Sequence, residues 1–134
     1  MNLKEKQIVL GIGGGIAAYK CCDLVRLLVK EGAIVHCILI APATADLIAK
    51  AAHGICDNLL TTVLCATRAP ILFSPSMNVN MWANPITQEN VARLKKHGHR
   101  IIEPAEGDLA CGYEGKGRLP EPEALLAEVV RVLR

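Results

Sequence analysis

The sequence predicts an α/β fold, an open parallel sheet with helices on both faces. Two observations carry this. Short apolar runs alternate along the chain with segments of helical periodicity, and each unusual loop follows an apolar run. In such sheets ligands bind outside the carboxyl ends of the strands. With 134 residues, 51% of them hydrophobic and 21% charged, the chain suffices for one core. No linker, repeat or low-complexity stretch divides it, so residues 1–134 read as a single domain.

Gln7–Ile12 reads as a buried strand. Ala17, Cys21, Leu24 and Leu28 then fall on one helical face, with Lys20, Asp23, Arg26 and Lys30 on the other, and Gly32 closes the helix. Ala33–Ile40 is a second strand. Ala45–Thr67 is mostly helical, broken near Gly54, and Pro70–Ser74 is a third strand. Asn84-Pro85 opens a helix that ends with Lys95, Lys96 and His97 before Gly98. His99–Glu103 reads as a fourth strand, Glu106–Pro120 as a long Gly-rich loop, and Glu121–Arg134 as a last amphipathic helix.

Composition excludes several classes. A net charge of +2, the lack of a basic run and the presence of just four aromatic residues argue against a nucleic-acid partner. No apolar stretch is long enough to span a bilayer, and Met1–Lys6 leads straight into a strand with no signal-peptide pattern; a cytoplasmic location is expected. The six cysteines are Cys21, Cys22, Cys37, Cys56, Cys65 and Cys111, and none forms a C-x-x-C pair, so no metal site is expected. The first five sit among apolar residues and read as small core filler.

Four loops are candidates for chemistry. Gly11–Lys20 holds Gly13, Gly14 and Gly15 ahead of Ile16 and Ala17, so backbone N–H groups at a helix start can approach a phosphate closely. In a dinucleotide fingerprint the third glycine would fall on Ile16, and no acidic residue ends the second strand to hold a ribose; a mononucleotide fits better. In Ala41–Asp46, Thr44 and Asp46 either bind a ligand or cap the next helix, and capping is the simpler reading. Ser74–Trp82 sets Asn78 and Asn80 between Met77, Met81 and Trp82, a pattern suited to an apolar pocket for a flat ring, or to a lid or subunit contact. Leu109–Pro122 places Cys111 in a Gly-rich loop with Lys116 and Arg118, a candidate reactive thiol.

Together these loops resemble the flavin-dependent cysteine decarboxylases, in particular the phosphopantothenoylcysteine decarboxylases. Gly13–Lys20 resembles the flavin-phosphate loop of that family. Pro42–Asp46 resembles its Pro-Ala-Ser-Ala-Asn-Thr segment, with Thr44 for Ser and Asp46 for Asn. Pro75–Trp82 matches its Pro-x-Met-Asn-x-x-Met-Trp motif in full, and Ala110-Cys111-Gly112 with Gly115–Leu119 resembles its substrate-clamp flap. The resemblance implies a Rossmann-like, flavodoxin-like three-layer fold and FMN as cofactor. It implies decarboxylation of 4'-phospho-N-pantothenoylcysteine to 4'-phosphopantetheine in coenzyme A biosynthesis. It further implies assembly as a trimer or a dodecamer, and a phosphopantothenate–cysteine ligase as a fused or separate partner. By the same resemblance FMN would be held by Gly13, Gly14, Gly15, Ile16, Ala17, Pro42, Ala43, Thr44, Asp46, Ser76 and Met77. Substrate would meet Asn78, Met81, Ala110, Cys111, Gly112, Lys116 and Arg118. Asn78 would hold the substrate carboxylate and Cys111 would protonate the enethiolate left after CO2 departs.

The chemistry explains why a reaction without net redox change would use a flavin. A cysteine amide offers no electron sink beside its carboxylate, and oxidising its thiol to a thioaldehyde creates one. There is one departure from the family. Its members carry a further stretch, with a helix, flavin contacts and a catalytic His, between the second strand and the Pro-Ala-Ser-Ala-Asn-Thr segment. Here His36–Ile40 runs directly into Ala41-Pro42, without the dozen or so residues that a parallel crossover requires. His36 does not match the catalytic His by motif, and His53, His97 and His99 read as surface or helix-end residues. Two alternatives stay open, a peptidyl-cysteine decarboxylase and a non-catalytic FMN-binding subunit.

Overall fold

In a computed structural model of the protein, residues 8–11, 36–108 and 114–134 are described, the first four by their backbone. A parallel four-stranded sheet runs through them in the order β1 (Ile8–Gly11), β2 (Cys37–Ala43), β3 (Ile71–Pro75) and β4 (Arg100–Ile101). Ile38 pairs with Val9 on one side and Ile71 on the other. Cys37–Ile40 and all of β3 are buried, as expected of strands covered on both faces.

Side chains alternate across the sheet and divide the core in two. Ile38, Ile40, Ile71 and Phe73 pack against helices α1 (Ala45–His53), α2 (Leu59–Ala66) and α4 (Pro85–Lys96), together with Trp82 from the short helix α3 (Val79–Ala83). Cys37, Leu39, Leu72 and Ile102 pack against Val129 of the last helix, α5 (Pro122–Leu133). This is the three-layer α/β arrangement that the sequence predicts.

The helix limits follow local chemistry. Thr44 caps α1 and Gly54 ends it in the left-handed conformation, with φ of 68°. Asn58 and Thr61 form a reciprocal capping box at the start of α2, with bonds of 2.9 and 3.2 Å. Asn84 caps α4, its Oδ1 accepting from the Ile86 amide at 2.9 Å, and Pro85 occupies the first turn.

Several boundaries differ from the sequence reading. The second strand does not stop at Ile40 but runs to Ala43, passing a cis Ala41–Pro42 bond and a register shift between Ile40 and Ala43. His36 precedes this strand rather than lying inside it. The fourth strand shortens to Arg100–Ile101. The expected long loop is instead an antiparallel hairpin, β5 (Ala105–Asp108) paired with β6 (Glu114–Arg118). Among the cysteines read as core filler, Cys37 is fully buried, but Cys56 and Cys65 are exposed. The expected first helix and the cysteines Cys21 and Cys22 lie outside the described residues. Among the described residues no helix is long and apolar enough to cross a membrane, and no cluster of His, Cys, Asp and Glu is arranged to hold a metal ion.

Candidate active site at the carboxyl edge of the sheet

The register Ala43↔Pro75 sets the ends of β2 and β3 side by side, so the two segments that follow them emerge together. The Ser76 amide donates to the Ala43 carbonyl at 3.2 Å, which ties the segments directly. Thr44 acts as a helix cap, its Oγ1 accepting from the Leu47 amide at 3.1 Å. Asp46 sits in the first turn of α1, where the helix dipole favours an acid, and pairs with Lys50 at 3.3 Å. Capping, the simpler expectation, holds for Thr44, while Asp46 lies inside the first turn and does not cap the helix.

After β3 the chain turns through Ser76 and Met77 into α3. Asn78 caps this helix, its Oδ1 accepting from the Asn80 amide at 2.8 Å. Met77 packs against the core and Trp82 belongs to it, with the Trp82 carbonyl accepting from Gln88 Nε2 at 2.6 Å. Met81 is 48% exposed. The motif therefore splits. Trp82 and Met77 root it in the core, while Asn78 and Met81 stand at or near the surface.

The hairpin closes over this segment. The Met77 amide donates to the Gly117 carbonyl at 3.0 Å. Gly115 has φ of 144°, and a Cβ there would lie 2.8 Å from Val79 Cγ1. Only a residue without a side chain permits this approach. On a strand, residues 116 and 118 point opposite to 115 and 117. Lys116 pairs with Glu103 at 2.9 Å and Arg118 with Glu121 at 3.0 Å. Glu103 also holds Lys95 at 3.0 Å. The hydrogen bond from Lys116, followed by that from Lys95, keeps the Glu103 carboxyl below its usual range against the opposing effect of burial.

Pro42, Ala43, Thr44, Asp46, Ser76, Met77, Asn78 and Met81 thus lie at or just after the carboxyl ends of β2 and β3, whereas Lys116 and Arg118, on β6, pair with Glu103 and Glu121. Gly13, Gly14, Gly15, Ile16 and Ala17, and Ala110, Cys111 and Gly112, lie outside the described residues. Sequence reasoning assigned no individual role to three residues that make or border these contacts. Glu103 is an ordinary acid in sequence. The Gly117 carbonyl carries no side-chain signal. Ser74 is fully buried, and its Oγ has no hydrogen-bond partner among the described residues. Of the histidines, His53 and His97 are exposed as expected. His99 is instead partly buried edge-on against Phe73, with centroids 5.8 Å apart, and burial lowers its pKa.

A parallel sheet flanked by helices on both faces, with polar side chains collected at its carboxyl edge beneath a glycine hairpin, defines an α/β ligand-binding domain. Residues 33–134 match the Flavoprotein family, and the chain belongs to that family. It is 40% identical over 173 residues to the coenzyme A biosynthesis bifunctional protein CoaBC of Vibrio vulnificus strain YJ016, covering 94% of this chain and 43% of that protein. The chain therefore spans less than half the length of that relative. Because the alignment runs over 173 residues and the chain has 134, at least 39 aligned positions of the relative have no counterpart here. Among solved structures, a cysteine-to-serine variant of PPC decarboxylase complexed with pantothenoylaminoethenethiol superimposes with a TM-score of 0.70 at 34% identity. That match covers 81% of this chain and 59% of the other. The FMN binding protein AtHal3 gives a TM-score of 0.67 at 34% identity, covering 80% and 58%.

Proposed function

We propose that this chain carries the flavin site and the carboxylate-anchoring site of an FMN-dependent decarboxylase that converts 4'-phospho-N-pantothenoylcysteine to 4'-phosphopantetheine. The observation that supports this best is the docking of β6 onto the Pro75–Trp82 segment through Met77 and Gly117. It joins the motif that resembles the family's carboxylate anchor to the strand that resembles its flap.

The residues fit a flavin mononucleotide. Gly13–Ala17 would offer backbone N–H groups to its phosphate. Thr44, Pro42, Ala43, Asp46, Ser76 and Met77 would border the rest. The buried Ser74 hydroxyl, at the carboxyl end of β3 and without a partner among the described residues, would gain one from a polar atom bound at that edge. When bound, FMN would supply the oxidation of the substrate thiol and the later return of a hydride.

The chain's own residues do the remaining work in this reading. Asn78 caps α3 through its Oδ1, and by the motif's resemblance its side-chain amide would donate to the substrate carboxylate. Met81 offers exposed apolar surface to the substrate chain. Cys111 holds the proton that the product needs after CO2 leaves. Contact of Lys116 or Arg118 with a substrate phosphate would exchange their pairs with Glu103 and Glu121 for a stronger charge-assisted one. Turnover is expected once the segment bearing the family's catalytic His is supplied, within a trimer or dodecamer and with a ligase domain as fused or separate partner.

The test is an assay of the full natural gene product with 4'-phospho-N-pantothenoylcysteine and, separately, with a peptide ending in cysteine. Release of CO2 and 4'-phosphopantetheine from the first is expected. Turnover of the peptide alone would move the assignment to a peptidyl-cysteine decarboxylase, and FMN uptake without turnover of either would make the protein a binding subunit.

A further inference from the structure

Glu103 stands where the chain leaves the parallel sheet for the hairpin, between β4 and β5. Its backbone is pinned on both sides. The Ile102 amide donates to the Phe73 carbonyl at 2.8 Å, and Pro104 is buried. From this fixed point the carboxylate reaches two other elements at once. Oε1 accepts from Lys95 Nζ at 3.0 Å, in the last turn of α4, and Oε2 from Lys116 Nζ at 2.9 Å, in the middle of β6. Glu106 lies across from Lys116 in the hairpin register, whereas the pair with Glu103 leads out of the hairpin to the sheet.

β6 is thereby held from two sides. Gly115 and Gly117 meet the segment after β3, through Val79 and the Met77 amide. Lys116, pointing the other way, meets Glu103. Residues 109–113 join β5 to β6 in sequence and include Cys111.

We propose that Glu103 is a positioning residue, which through Lys116 fixes β6 against the Pro75–Trp82 segment and so sets the place of the strand that follows Cys111. Its effect on turnover rests on the decarboxylase reading above; its hold on β6 does not. Lys116 stays on Glu103 in the docked hairpin. Contact with the substrate phosphate therefore falls to Arg118, whose pair with Glu121 is local and more exposed. The hydrogen bond from Lys116, then that from Lys95, keep the carboxylate ionised. An exposed ion pair adds little to the stability of the whole domain. The role assigned to it is local, because a small misplacement of a reacting group costs far more in rate than in stability.

The test uses variants of the full natural gene product, read in two ways. Hydrogen exchange followed by mass spectrometry compares the peptide that holds Met77 with the peptide that holds Ile102. Assays at saturating 4'-phospho-N-pantothenoylcysteine give kcat for 4'-phosphopantetheine release, alongside the content of bound FMN. Glu103→Lys sets three ammonium groups together and should speed exchange at Met77 by about three- to tenfold, with Ile102 and FMN content unchanged. Its kcat should fall about tenfold. Glu103→Gln should speed Met77 exchange about twofold, and Lys116→Gln should match it. The two together should do no more than either alone, because they remove one shared contact. Lys116→Arg keeps the cation and should keep parental exchange at Met77. Parental exchange at Met77 in Glu103→Lys, or additive effects in the double variant, would overturn the hold on β6. Faster exchange with parental kcat would overturn the positioning role. If the parent protein turns over no substrate, the decarboxylase reading fails, while the exchange result still upholds or overturns the hold of Glu103 on β6.

Discussion

The Met77 amide and the Gly117 carbonyl, 3.0 Å apart, join the segment after β3 to the second strand of the hairpin. The bond is backbone to backbone, so its formation depends on how closely the two chains approach rather than on which side chains they carry. Gly115, two residues away, sets that approach by leaving room for Val79.

Gly115→Ala should therefore loosen the hairpin. A Cβ 2.8 Å from Val79 Cγ1, on a backbone with φ of 144°, must displace one or the other. The expected cost is about 1–3 kcal/mol, read by urea denaturation. Exchange of the Met77 amide should accelerate, because the bond to Gly117 opens with the strand. Adding Val79→Ala should recover the part due to the clash and leave the part due to φ. A Gly115→Ala protein with parental stability and parental Met77 exchange would show that β6 does not rest on α3.

Asn78 combines a structural and a proposed chemical role, and two substitutions separate them. Asn78→Ala removes the acceptor for the Asn80 amide and should cost about 1 kcal/mol of stability. Asn78→Asp keeps an acceptor there, so stability should be nearly unchanged. It nevertheless replaces an N–H donor with a negative charge and should nearly abolish decarboxylation in the complete enzyme. Normal turnover by Asn78→Asp would remove Asn78 from the proposed carboxylate site.

Cys111→Ser, made in a chain with the complete family segment, should uncouple two products. A serine hydroxyl is a far weaker acid than a thiol. CO2 should still be released once per site on mixing with substrate, while 4'-phosphopantetheine should accumulate slowly if at all. Parallel measurement of both products decides. Equal and undiminished release of both would sink the proposed proton-donor role.

The Glu103 bridge between Lys116 and Lys95 gives a pH-dependent stability term. Its carboxyl has a lowered pKa in the folded chain, so the bridge stabilises above the unfolded value and is lost as pH falls through the folded one. Because Glu103 is about half exposed, the effect is small, about 0.5 kcal/mol or less. Glu103→Gln should be less stable than the parent at pH 7, and the difference should close below about pH 4. High salt should shrink it at neutral pH. A difference that persists at pH 3 would point to packing rather than charge.

Much of this arrangement is legible in the residues themselves. The apolar runs ILI and ILF and the caps Thr44 and Asn84 announce the layers and helix limits, because they act through burial and local hydrogen bonds, whereas the Asn58 cap inside Ala45–Thr67 goes unread. Two features resist. Pro42 reads as a strand breaker, yet β2 runs through it by way of a cis bond and a register shift. Gly115 and Gly117 read as loop residues, since glycine has little strand propensity. Their place in β6 is decided by the partner strand β5 and by contact with α3, neither of which is a local property. The exposure of Cys56 and Cys65 is hidden for the same reason. Short apolar stretches do not declare which side chain lies outward.

The order of the parallel strands has a consequence for where a crevice can form. From β1 to β4 each new strand is added on the same side of the one before, so the described sheet winds in a single direction. With right-handed crossovers, a sheet wound in one direction places its connecting helices on one face, which is where α1, α2 and α4 lie. A cleft between oppositely directed connections arises only where winding reverses. Among the described strands no such reversal occurs, and the one parallel-sheet edge at which it can be created is the outer side of β1.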